Sequence, residues 1–172
     1  AIGDIVSDAL AEITSARRRG VTLGRPSGLP RLDEITGGFF DGNLTILAAR
    51  PSIGKTALAV ELAARMAERG QRVFIVSLEM SGRELGHRFL SRETGIPVKL
   101  MQSAELSDQD EIDLIEAKAR LRSLPLKTLA TSTATVAQIR ARAKVQMAQD
   151  GLDMVIVDYL GLITHPGRLS QY

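Results

Sequence analysis

Cysteine is absent from this chain, so it holds no disulfide framework and no thiolate metal site, and its redox compartment is left open. Tryptophan is absent too, and aromatic residues make up only 3% of the sequence. Aliphatic side chains and alanine must therefore fill the core, which favours layered helix and sheet packing over an aromatic-rich β-sandwich. No apolar run approaches the roughly 20 residues needed to cross a bilayer, and no secretory leader is visible. The expectation is a cytoplasmic protein with no membrane partner. A large charge of either sign is missing as well. The formal net charge is +2, too small an excess to imply nucleic acid or an anionic surface.

What is present is a chain of 172 residues, 44% of them hydrophobic, which suits one domain with a respectable core. Ile2, Ile5, Val6, Ala9, Leu10, Ile13 and Ala16 recur at helical spacing, and Arg17, Arg18 and Arg19 precede Gly20, as at a helix end. The following "GVTLGRPSGLPRLDEITGG" is rich in glycine and proline and reads as a linker with a helical turn around "RLDEI". The division expected is a helix over 1–20, a lead-in over 21–43 and a core over 44–172.

The core alternates. Strands are predicted at "NLTILAA" (43–49), "RVFIVSLE" (72–79), "LKTLAT" (126–131) and "DMVIVD" (153–158). Helices are predicted from Lys55 to Arg69, behind the Ser81/Glu84 capping box to Thr94, from Ser107 to Ser123, and behind Thr135/Gln138 to Gln149, with "GIPVKLMQSAEL" as a loop. Strands alternating with helices imply right-handed crossovers and a parallel sheet, an α/β fold.

Between the first strand and helix lies "ILAARPSIGKTALAVELA" (46–63), where the pattern G-x-x-x-x-G-K-[ST] has Ala49 in place of its first glycine. A phosphate loop directs successive backbone N–H groups into one concavity, and the helix behind it adds its positive end. Gly54 allows close backbone approach, Lys55 supplies a charge for the β- and γ-phosphates, and Thr56 a hydroxyl for Mg²⁺. The first position needs only a compact residue, so Ala49 is compatible with a loop formed by Ala49, Arg50, Pro51, Ser52, Ile53, Gly54, Lys55 and Thr56. A glycine-lysine-threonine triplet alone is weak; between an apolar strand and a helix it reads as a nucleotide site. Asp158 closes "MVIVD" where a Mg²⁺-holding acid would stand in a parallel sheet. Glu79 closes "FIVSLE" and could orient an attacking water, though taken alone it reads equally as a surface acid ahead of a helix.

"ARPSIGKTALAVELA", "FIVSLEMS" and "MVIVDYLGLI" together resemble the ATPase motor of replicative DnaB-family helicases, a P-loop NTPase core of RecA-like fold with an N-terminal linker helix. In that family the first loop position is commonly alanine followed by Arg-Pro-Ser, so Ala49 is a family mark. The similarity runs from about Gly24 to Ile163. It implies ATP and Mg²⁺ as cofactors, Lys55 and Thr56 as phosphate and Mg²⁺ residues, Glu79 as catalytic base and Asp158 as the second acid holding Mg²⁺. It also implies a ring, a hexamer, joined through the N-terminal helix. Single-stranded DNA is the implied track, with primase and a helicase loader as candidate partners.

There are departures: Gly161 stands where the family usually has glutamine, and family members continue past the second acid into a sensor strand, DNA-contacting loops and an arginine finger. The chain is therefore expected to be part of a longer motor and to turn over little by itself. Two rival readings are a short nucleotide-binding protein that docks on a helicase or recombinase assembly without turnover, and a RecA-like recombinase or clock-type ATPase. Glu79 and Asp158 speak against the first, and Arg50-Pro51-Ser52 against the second.

Overall fold

The computed structural model describes residues 1–164; the end of the expected 44–172 core, from His165 on, lies outside the described residues. Two compact units divide the chain, one over residues 1–48 and one from Ala49 onward.

In the first unit, α1 spans Ile2–Arg19 and ends where Gly20 takes a left-handed conformation at φ +65°. Its apolar stripe of Ile2, Ile5, Val6, Leu10 and Ile13 is exposed, while Ala16 is buried. α2, Pro30–Thr36, is the helical turn expected around "RLDEI", with proline in its first turn. Asp33 accepts from the Ser27 and Gly28 N–H groups and so ties the lead-in to this helix. Arg25 and Phe39 exchange backbone hydrogen bonds, and Arg25 grips Asp41 with Nε at 2.6 Å and Nη2 at 3.0 Å.

In the second unit, α3 (Lys55–Glu68) leads to β1 (Val73–Ser77), α4 (Gly82–Thr94), α5 (Val98–Ser103), α6 (Asp108–Ser123), β2 (Leu126–Ala130), α7 (Val136–Gln149), β3 (Met154–Asp158) and a 3₁₀ turn, Leu160–Leu162. The strands form one parallel sheet in the order β2-β1-β3. β1 is central and all five of its residues are buried. Phe74 and Val76 pack with Ala134 and Ile139 on the α7 side. Val73 and Ile75 alternate onto the opposite face, and α3 packs on β1 with Ala63, Ala64 and Met66 fully buried.

Three helix starts follow their sequence signals. Ser81, Ser107 and Thr135 each accept from the N–H three residues on, and Glu84, Asp110 and Gln138 reach back to the cap N–H groups. Each cap contributes about 1 kcal/mol.

One strand does not form. Residues 43–49 belong to no sheet, and Leu44 and Ile46 are exposed. A short apolar run becomes a strand only where a neighbour completes its backbone hydrogen bonds, and this one has no such ladder. Among the described residues the sheet is thus three-stranded, not four-stranded. The stretch read as a loop over 95–106 also contains α5, begun behind Pro97 and closed by Ala104 at φ +56°.

A clamp sits at the amino end of the sheet. Arg72, just before β1, donates from its backbone N–H and Nε to Asp153 Oδ2 at 2.8 and 2.7 Å, and from Nη2 to Oδ1 at 2.8 Å. Asp153 lies just before β3, and the Arg72 carbonyl accepts from the N–H groups of Asp153 and Met154. Gly151, at φ +80°, leaves the guanidinium its space: a Cβ there would collide with Nη1.

Candidate functional site

The loop from Ala49 to Thr56 is exposed until Lys55 and Thr56, which are half-buried. Two residues carry its turn, Ser52 at φ +64° and Gly54 at φ +106°. The second value is one that only glycine adopts readily, so Gly54 is required by backbone conformation. The Ile53 N–H donates to the Arg50 carbonyl at 3.4 Å, and α3 begins directly behind Gly54 with the Leu58 N–H on the Gly54 carbonyl. No side chain caps α3, and its first turn holds no acid. Its leading N–H groups and helix dipole suit an anion seated in the loop.

Asp158 closes β3 and is 4% exposed. Both of its carboxylate oxygens are engaged: Lys55 Nζ lies 2.9 Å from Oδ1, and Thr56 Oγ1 donates to Oδ2 at 2.5 Å. A buried carboxylate is tolerable only when paired and hydrogen-bonded, and here both conditions are met. Glu79 lies just past β1 in a turn that Ser77 organises. The Ser77 hydroxyl donates to the Met80 carbonyl at 3.0 Å and accepts from the Met80 N–H at 3.2 Å. One Glu79 carboxylate oxygen comes within 4.0 Å of Lys55 Nζ. β1 and β3 run in register with Ser77 opposite Asp158, and the Leu78 N–H donates to the Asp158 carbonyl at 2.7 Å. The two acids therefore leave the sheet from adjacent strand ends, both within 4.0 Å of Lys55 Nζ.

The sequence-expected residues Lys55, Thr56, Glu79 and Asp158 thus meet at the carboxyl end of the sheet. Ala49, Arg50, Pro51 and Ile53 form the loop wall without touching the acids among the contacts described. Three contributors escaped the sequence reading. Tyr159 places its ring 4.0 Å from Lys55 Nζ, centroid to nitrogen. Ser77 builds the turn that carries Glu79, and its only signal was a hydroxyl at the strand end. Arg92 is the third. From α4 it binds Glu61 and Glu68 on α3 as well as Glu93, while Arg65 also holds Glu61 and Arg120 on α6 reaches Glu93. Burial would raise the Glu61 carboxyl, but hydrogen bonds from Arg92 and Arg65 outweigh it and hold Glu61 below its ordinary value. The bond to Glu68, followed by those to Glu61 and Glu93, raises Arg92 well above the usual guanidinium value despite partial burial. This network braces the helix behind the loop against the helix behind Glu79.

The donor set fits a hard cation. A hydroxyl and a carboxylate present oxygens side by side at the mouth of the loop, and Mg²⁺ takes oxygen ligands, commonly one or two carboxylates together with phosphate oxygens. Thr56 and Asp158 are the residues that would hold it.

A glycine-lysine-threonine loop opening a helix, with acids at the carboxyl ends of adjacent parallel strands, defines a P-loop NTPase core of RecA-like fold. Residues 24–171 match the model of the DnaB-like helicase C-terminal domain, and this chain belongs to that family. Its relatives include the replicative DNA helicase DnaB of Leifsonia xyli subsp. xyli, 33% identical over 170 residues, covering 98% of this chain and 37% of that protein. The replicative DNA helicase DnaB of Geobacillus stearothermophilus is 37% identical over 155 residues, covering 90% of this chain and 34% of that protein. The chain therefore spans about a third of the length of these relatives. Two solved structures align over 99% of the chain at 27% identity. One, an ATPase domain, has a TM-score of 0.86 and is covered over 61% of its length. The other, a DnaB-like replicative helicase described with its interactions with primase, has a TM-score of 0.84 and is covered over 41%.

Proposed function

We propose that this chain is the ATP-hydrolysing motor segment of a replicative helicase that assembles as a hexameric ring, moves along single-stranded DNA and unwinds duplex. The observation that supports it most is the meeting of Lys55, Thr56 and Asp158 within hydrogen-bond distance, with Glu79 beside them.

In this reading the backbone from Ala49 to Thr56 cradles the nucleotide phosphates, and Lys55 presents its ammonium to the β- and γ-phosphates. Glu79 orients the attacking water and accepts its proton. Mg²⁺, held by Thr56 and Asp158, would neutralise charge on the phosphate oxygens. Half of the site would come from the neighbouring subunit, whose arginine finger belongs to parts of the family beyond the second acid. The division of labour follows: residues 1–20 a linker helix that docks on a neighbour, 21–43 a lead-in, and 44–172 the motor core. Primase and a loader would engage other parts of the longer protein. The place of work would be the cytoplasm, and among the described residues no helix is long and apolar enough to cross a membrane.

The test is Lys55→Ala in the full-length protein. Mg·ATP binding should weaken and ATP-dependent unwinding should be lost, because one ammonium carries most of the side-chain charge aimed at the phosphates. Near-normal turnover would overturn the assignment of the loop.

A further inference from the structure

The Tyr159 ring stands beside Lys55, the side chain proposed to meet the nucleotide phosphates. Its centroid is 4.0 Å from Lys55 Nζ, well inside the range of a cation–π contact. The ammonium therefore has three close neighbours, Asp158 Oδ1 at 2.9 Å, Glu79 Oε2 at 4.0 Å and the ring. The two acids fix charge but not direction, since a lysine ammonium is a compact point charge on a flexible four-carbon stem. A planar face 4.0 Å away removes one side of the space that stem can sweep.

What leaves the ring its room is the residue two places on. A Cβ built at Gly161 would lie 2.6 Å from Tyr159 Cε2 and 3.2 Å from Cδ2. The first is shorter than real Cβ atoms make, and the second is tighter than nearly all of their contacts. Gly161 does not have a positive φ, so its backbone accepts other residues and conformational freedom is not why glycine stands here. Glycine at this position has a steric consequence, and the consequence is where Tyr159 lies.

We propose that Tyr159 is a positioning residue for Lys55, and that Gly161 is the residue that lets its ring reach the ammonium. The proposal rests on Lys55 being the phosphate-binding lysine.

The experiment reads the contact directly, without turnover. Proton–carbon correlation spectra of the ¹³C-lysine-labelled chain report the ε-methylene of Lys55 beside those of Lys99, Lys118, Lys127 and Lys144, with Lys55→Arg giving the assignment. Ring-current shielding should place the Lys55 signal upfield of the other four. Tyr159→Phe should leave it there, while Tyr159→Leu and Gly161→Ala should each return it to the others. The double variant should move it no further than either single one. A Lys55 signal among the other four in the native chain, or one unmoved by Tyr159→Leu, would overturn the proposal. Titration with Mg·ATP should show a loss of roughly two- to fivefold in affinity for Tyr159→Leu and Gly161→Ala and none for Tyr159→Phe, the scale of a partly exposed cation–π contact. Equal affinity in all of them would overturn the positioning role. If instead the spectra behave as expected and Lys55→Ala still binds Mg·ATP normally, the phosphate-loop reading fails and the Tyr159–Lys55 contact stands.

Discussion

Thr56 and Asp158, 102 residues apart in sequence, meet at 2.5 Å, hydroxyl to carboxylate. This bond joins the first turn of α3 to the end of β3, and it engages an oxygen of an acid that is almost fully buried. Thr56→Val keeps the shape of the side chain and removes the donor. The carboxylate oxygen is then left without that partner, which costs about 1–3 kcal/mol for a buried acceptor. Urea unfolding of the chain should show a loss of that size, and Mg²⁺ should no longer strengthen nucleotide binding. An unchanged midpoint with full Mg²⁺ dependence would contradict the role given to this pair.

Glu79→Gln separates holding from chemistry. The glutamine retains the reach of the side chain on the turn built by Ser77, and only the proposed base is lost. In the full-length protein, nucleotide should still bind while hydrolysis falls by about 10²-fold or more, the usual scale for general-base loss. Collapse of binding would make Glu79 a structural residue.

The brace around Arg92 predicts a dependence on pH. Glu61 has its folded carboxyl held below the ordinary value of 4.5. Its stabilisation is therefore complete above that value and is lost as the pH falls through the lower, folded value. Denaturant midpoints measured from neutral pH into this acid range should drop for the native chain and drop less steeply for Glu61→Gln. Parallel curves would show that the network does not contribute through Glu61.

The exposed stripe of α1, with Ile2, Ile5, Leu10 and Ile13 on one helix, predicts an intermolecular role. Removing residues 1–19 from the full-length protein should shift its mass in light scattering from a ring to smaller species. An unchanged oligomer would assign the stripe to some other contact.

The sequence was most legible where chemistry is local. Ser81, Ser107 and Thr135 cap the helices expected of them because a cap and its partner lie three residues apart, within one turn. The meeting of Lys55, Thr56, Glu79 and Asp158 was legible for a related reason: a loop opening a helix and an acid ending an aliphatic strand are local patterns, and topology alone then gathers strand ends. Leu44 and Ile46 misled because an apolar run states a preference, whereas a strand also needs partners that no local window contains. Tyr159 was hidden for the opposite reason. Its role depends on where its ring points, and that is set by the missing Cβ of Gly161. Arg92 escaped because its partners lie on a different helix as well as its own.

The clamp between Arg72 and Asp153 has a consequence at the other end of the sheet. In a strand, a slip of one residue turns every side chain to the opposite face. Arg72 and Asp153 lock the starts of β1 and β3 together, and the register they set runs from Val73 opposite Met154 to Ser77 opposite Asp158. At about 3.3 Å per residue, this indexing is carried through the buried strands to an acid roughly 15 Å away. An ion pair on the side of the sheet remote from the glycine-lysine-threonine loop thus acts as an alignment key, deciding which face Asp158 presents and with it whether Lys55 and Thr56 have anything to grasp.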